Sequence, residues 1–122
     1  MHKLKDLKIW SKALELCIDI YNATQDFPKQ ETYGLTSQMR RAAVSISSNI
    51  SEGAGRHTNG QFIQFLSFAT GSAYELQTQL HIANRLYLVP DAEMNRLENN
   101  IDELLKMIYV FKQNLTTRSA VR

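Results

Sequence analysis

Few residues in this 122-residue chain could do chemistry, and their spacing constrains what that chemistry is. Cys17 is the only cysteine, so no intrachain disulfide and no cysteine-built metal site can form. A thiol nucleophile needs a histidine base beside it. Cys17 instead falls on an apolar helical stripe, where a cysteine behaves as a small buried hydrophobe. Metal centres inside helix bundles use Glu-x-x-His pairs on facing helices, and the chain has none. His2, His57 and His81 share no ligand spacing. No catalytic set, metal or cofactor is therefore expected, and the chain reads as a non-enzyme.

The segment Arg40–Arg56, RRAAVSISSNISEGAGR, invites a phosphate-loop reading through Gly53-Ala54-Gly55. The Walker pattern is missing, because no Gly-Lys-Ser/Thr follows. The glycines also sit where a helix should end, and the carbonyl end of a helix repels anions. They suit a left-handed residue closing that helix. The next helix start, near Thr58 to Gln61, could dock one anion beside Arg56 and His57. Solvated loop charge is the simpler reading. The small residues Ala43, Ser47, Ser51 and Ala54 predict close contact with another helix, within or between subunits.

The elements that must carry these residues are four amphipathic helices. In the first, from about Leu4 to Thr24, Leu7, Trp10, Leu14, Cys17 and Tyr21 alternate steps of three and four. Phe27-Pro28 ends it. The second follows Tyr33-Gly34, with Leu35, Met39, Ala42, Ile46, Asn49 and Gly53 in step. The third begins with Thr58 and Gln61 as a capping box. Phe62, Leu66, Ala69, Ala73, Leu76, Leu80, Ala83 and Tyr87 then keep the period. Gly71, mid-helix, suggests close approach of another backbone or simple tolerance. Pro90 closes that helix and Asp91 can cap the fourth, whose stripe is Met94, Leu97, Ile101, Leu104, Ile108, Phe111 and Leu115. Short loops make neighbouring helices antiparallel, so the expected fold is all-α, an up-down-up-down antiparallel four-helix bundle over residues 1–115. Residues 116–122 are expected to be a frayed tail.

That topology sorts the charges. Residues 1–12 and 106–122 share one end and carry a net +7, since Asp6 is the only acid there. Glu52 and Arg56 in the neighbouring loop cancel. At the opposite end, residues 85–103 carry a net −3. A total of +2 thus hides a polarised molecule, able to attract a polyanion without base-specific contacts. Candidate nucleic-acid contacts are Lys3, Lys5, Lys8, Lys12, Arg56, Lys112 and Arg118, with Arg40 and Arg41 as second-choice anion contacts. Lysines near a chain end on an ordinary soluble surface are the alternative. No apolar run is long enough for a membrane span. The charged start MHKLKDLKIW does not match a secretory signal. A cytoplasmic location is expected.

Tyr33-Gly34-Leu35-Thr36, Arg40-Arg41-Ala42, Ser45-Ile46-Ser47-Ser48-Asn49-Ile50, Glu52-Gly53, and Gly71-Ser72 followed by Glu75-Leu76 resemble one family. It is the bacterial four-helix-bundle proteins encoded in intervening sequences of 23S ribosomal RNA genes, also filed under a small-subunit ribosomal protein name. The resemblance covers about residues 4–112. Ser47 departs from the proline favoured there. The family is similar to the accessory protein of diversity-generating retroelements, a basic homopentamer that binds nucleic acid and a reverse transcriptase. The resemblance implies a bundle that assembles as a homo-oligomer, a pentamer, without enzymatic activity. RNA or another nucleic acid is the partner expected first. A protein partner, such as a polymerase, is the alternative.

Overall fold

The computed structural model describes the backbone of residues 2–121 and the side chains of residues 2–117. A short 3-10 helix at Leu4–Asp6 precedes α1 (Lys8–Thr24), and a second at Lys29–Glu31 precedes α2 (Leu35–Ala54). Then come α3 (Asn59–Arg85) and α4 (Asp91–Val121), and no strand occurs among the described residues. The fold is an all-α four-helix bundle.

Contacts between side chains give the directions. Ser45 on α2 meets Ser72 on α3, and Gly53 lies against Phe62, so α2 and α3 run antiparallel. Gln77 bonds Asp102, and Lys112 reaches back to Ser67, so α3 and α4 do too. Lys12–Glu103 and Asp19–Arg96 set the same relation for α1 and α4. The pairings are consistent with the up-down order. One apolar core fills the centre, with Leu16, Ile20, Ile46, Leu76, Leu97 and Leu104 among its fully buried side chains.

The stripes of α3 and α4 lie where periodicity puts them. Phe62, Leu66, Ala69, Ala73, Leu76, Leu80 and Ala83 are buried, as are Met94, Leu97, Ile101, Leu104, Ile108 and Leu115. Phe111 is half-buried against the same core. The α1 stripe is borne out only in part: Leu7 and Cys17 are buried, but Ile9, Ala13, Leu16 and Ile20 carry most of the core face, while Leu14 and Tyr21 are exposed and Trp10 is half-buried. The apolar face of this helix is broad enough for two adjacent stripes, so a three-four step fits either phase.

The helix ends also depart from expectation. No described glycine has a positive φ, and Gly55 closes α2 in a right-handed conformation at φ −86°. Gly53 is required sterically. A Cβ there would fall 2.7 Å from Phe62 Cδ1 and 2.9 Å from Phe65 Cβ. Gly71, in contrast, has no neighbour within 4 Å, so no backbone approaches it closely. The left-handed position falls to Tyr87, at φ 61°, outside the core rather than on the stripe. Its N–H donates to Asn84 O at 3.0 Å and that of Leu88 to Ala83 O at 2.9 Å, closing α3 in a Schellman motif. At the other end of α3, Thr58 Oγ1 accepts from the Gln61 N–H at 3.1 Å, one arm of the expected capping box. Asp91 stands inside the first turn of α4 and accepts from Asn84 Nδ2 at 2.9 Å. Helix α4 continues past the apolar stripe to Val121.

Candidate nucleic-acid interface

The amino-terminal turn explains how the first lysines are presented. Asp6 N–H bonds Lys3 O and Leu7 N–H bonds Leu4 O, both at 3.0 Å, giving three residues per turn. Leu4 and Leu7 therefore point the same way, into the bundle. Lys3, Lys5 and Lys8 are left exposed. His2 anchors the start by ring contacts with Phe62 (5.1 Å) and Phe111 (6.2 Å), whose own centroids are 5.3 Å apart. The chain start, the beginning of α3 and the late part of α4 thus meet at one end.

Lys5, Lys8 and Lys12 line one shallow groove of about 260 Å³, but Glu15 and Glu103 line it as well. Lys12 is paired with Glu103 at 3.3 Å. Lys8 and Lys106 flank an adjoining groove of about 500 Å³ floored by Met107, Val110 and Phe111. Lys112 Nζ donates to Ser67 Oγ at 2.9 Å. Arg56 lies over the Phe65 ring at 4.6 Å and pairs with Glu52 at 3.5 Å. The Arg118 side chain lies outside the described residues. Among the described residues, the exposed lysines at this end without an ion pair are therefore Lys3, Lys5, Lys8 and Lys106. Lys106 was not among the candidates, and the α1–α4 register that pairs residue 12 with 103 is the signal that finds it.

Arg40 and Arg41 are not gathered with these lysines. Arg40 Nε donates to Thr24 Oγ1 at 2.9 Å and Nη2 to Tyr21 O at 3.3 Å, with its guanidinium 4.5 Å from the Tyr21 ring centre. That ties the end of α1 to α2. Arg41 is exposed. The acidic end is braced by Arg96, which bonds Glu93 at 2.7 Å and Asp19 at 3.4 Å. Arg96 holds the Glu93 carboxyl below the usual carboxylate range, chiefly by hydrogen bonding. Burial pushes the Cys17 thiol up, which makes it a poor nucleophile. Among the described residues no three His, Cys, Asp or Glu side chains are grouped to hold a metal ion. No described helix is long and apolar enough to cross a membrane.

A family model described as "23S rRNA-intervening sequence protein" matches residues 5–110. The chain belongs to that family. A crystal structure from Bacteroides thetaiotaomicron, of a protein of unknown function from the S23 ribosomal protein family, superposes with a TM-score of 0.76. The two are 22% identical, and the match covers 85% of this chain and 97% of the other. At that identity the likeness establishes the shared fold. No curated protein matches this chain. The family's function is not known, and no catalytic family is indicated for the chain.

Proposed function

We propose that this family member is a non-enzymatic, homo-oligomeric protein of the cytoplasm that binds RNA through its basic end. The observation that supports this is the turn at Leu4–Asp6. It commits Leu4 and Leu7 to the core and leaves Lys3, Lys5 and Lys8 in water, at the end where α4 supplies Lys106 and Lys112. Such a patch neutralises phosphates without reading bases. Lys12 and Arg56 are weaker candidates, because each already has a carboxylate.

Titration with 23S ribosomal RNA fragments at several salt concentrations tests the reading. For duplex RNA treated like duplex DNA, log affinity falls with log salt by roughly 0.9 per phosphate neutralised. Lys5→Glu with Lys8→Glu should then weaken binding and flatten the slope by about two. No binding at low salt ends the proposal, and an unchanged slope moves the contact elsewhere.

Assembly is supported by the outer face of α1, where Leu14 and Ile18 stand exposed. Surplus apolar surface also stands on α2 and α3, where Val44, Phe68, Tyr74 and Ile82 are exposed, whereas Phe65 is half-covered by Arg56 and by Phe68 at 5.6 Å. The resemblance to retroelement accessory proteins adds the expectation of five copies. Light scattering after size exclusion should give a mass well above 14.0 kDa. A monomer at micromolar concentration defeats this part. The same α1 face supports a second reading, a scaffold for another protein such as a polymerase. Co-purification of that protein without RNA would favour it.

A further inference from the structure

A third groove lies beside the first turns of α2, away from Lys3, Lys5 and Lys8. It encloses about 610 Å³, within the roughly 300–1,000 Å³ typical of small-molecule sites. Tyr21, Tyr33, Thr36, Ser37, Arg40 and Arg41 supply its chemistry, and no carboxylate lines it. We propose that this groove binds a phosphorylated nucleoside, either a free nucleotide or one unit of a single-stranded RNA.

The phosphate is matched by two guanidinium groups. Arg40 is held by Thr24 and by the Tyr21 carbonyl through Nε and Nη2, so its position is fixed before any ligand arrives. Its Nη1 takes no part in those bonds. Arg41 forms no ion pair among the described residues. A guanidinium presents paired donors that fit phosphate oxygens. The hydroxyls of Thr36 and Ser37 add donors. The backbone N–H groups of these two residues precede the first bond of the helix, which Gln38 donates to Gly34. They add the positive end of the α2 dipole to the same wall, where Glu31 Oε1 already accepts from the Leu35 N–H at 3.2 Å and offsets part of it.

The ring is matched by Tyr33. It is 97% exposed, in the turn between the second 3-10 helix and α2. A tyrosine ring so fully in water contributes nothing to the core, and at the rim of a cationic groove it offers a stacking platform. Tyr21, already carrying Arg40 over its ring at 4.5 Å, also lines the groove. Stacking of this kind tolerates any base, so the class is nucleoside phosphate rather than one named nucleotide.

The test is amide chemical-shift mapping on the full chain with four probes. They are adenosine 5′-monophosphate, adenosine, inorganic phosphate, and a six-nucleotide single-stranded RNA. Shifts at Thr36, Ser37 and Arg41 with the monophosphate, tighter than with adenosine or phosphate alone, are expected. Arg41→Gln and Tyr33→Ala should each weaken binding on the order of tenfold. Both residues are exposed, so the folded spectrum should be retained. The same variant sensitivity with the hexamer but not the monophosphate assigns the RNA as the source. Absence of groove shifts with both overturns the proposal, and so does binding indifferent to both variants. Binding as tight with phosphate alone, and unmoved by Tyr33→Ala, overturns the nucleoside part. Lys5→Glu with Lys8→Glu should leave groove binding unchanged. RNA binding lost only in that variant overturns this site and leaves the basic-end reading standing.

Discussion

At Gly53 an added Cβ would fall 2.7 Å from Phe62 Cδ1, on a ring that is itself buried and packed against Phe111. Neither the ring nor the Phe65 Cβ can move aside cheaply. Gly53→Ala should therefore lower stability by about 1–3 kcal/mol, the usual cost of overpacking. Gly71 is also helical, but nothing lies within 4 Å of its missing Cβ. Gly71→Ala should raise stability by roughly 1 kcal/mol, through helix propensity alone. Urea midpoints for the two variants check both signs, and shifts in the same direction refute the assignment. The sequence placed Gly53 near the end of one helix and Gly71 in the middle of another. It gave no basis for their opposite roles, because the distinction is whether a phenylalanine from the next helix comes within reach.

Helix α1 shows the limit of periodicity at the level of an element. Its apolar residues include Ile9, Trp10, Ala13, Leu14, Leu16, Cys17, Ile18, Ile20 and Tyr21, which form one arc broad enough to hold two adjacent stripes. Two adjacent stripes satisfy the three-four step, and packing against α2 and α4 selects one. Leu16 is 1% exposed and Leu14 38%. Leu16→Ala should cost about 2–5 kcal/mol, because it leaves a cavity. Leu14→Ala in the dissociated chain should stay within roughly 0.5–1 kcal/mol, as a surface change does. Equal losses in thermal unfolding would contradict the observed phase. In α3 and α4 the stripe was legible except at Tyr87, although Phe68, Tyr74 and Ile82 put further apolar surface off the α3 stripe.

For the molecule as a whole, helix register decides how much of the charge segregation remains available to a ligand. Topology gathers the lysines at one end, but the α1–α4 pairing sets Glu103 beside Lys12 and Arg96 between Asp19 and Glu93. The lowered pKa of Glu93 carries a definite sign. A carboxyl depressed in the folded state stabilises above its unfolded pKa, and that contribution is lost as pH falls through the folded value. Glu93→Gln should be less stable than the parent at pH 7. The gap should close in acid, below the usual carboxylate range. Because this pair is largely solvated, the gap should be small, under about 1 kcal/mol. A gap that persists to pH 2 would show that packing, not charge, is responsible.

The sequence by itself determined the four helices, the stripes of α3 and α4, the family resemblance and the sign of the charge at each end. These depend on periods, caps and composition, which are local along the chain. The tertiary structure alone decided the buried phase of α1, the steric need for Gly53, the pairing of Lys12, and the grouping of Arg40 and Arg41 with Tyr21 and Tyr33. Each depends on which residue of one helix stands level with which residue of another. That level is fixed by side-chain packing across helices, and no spacing within a single helix encodes it.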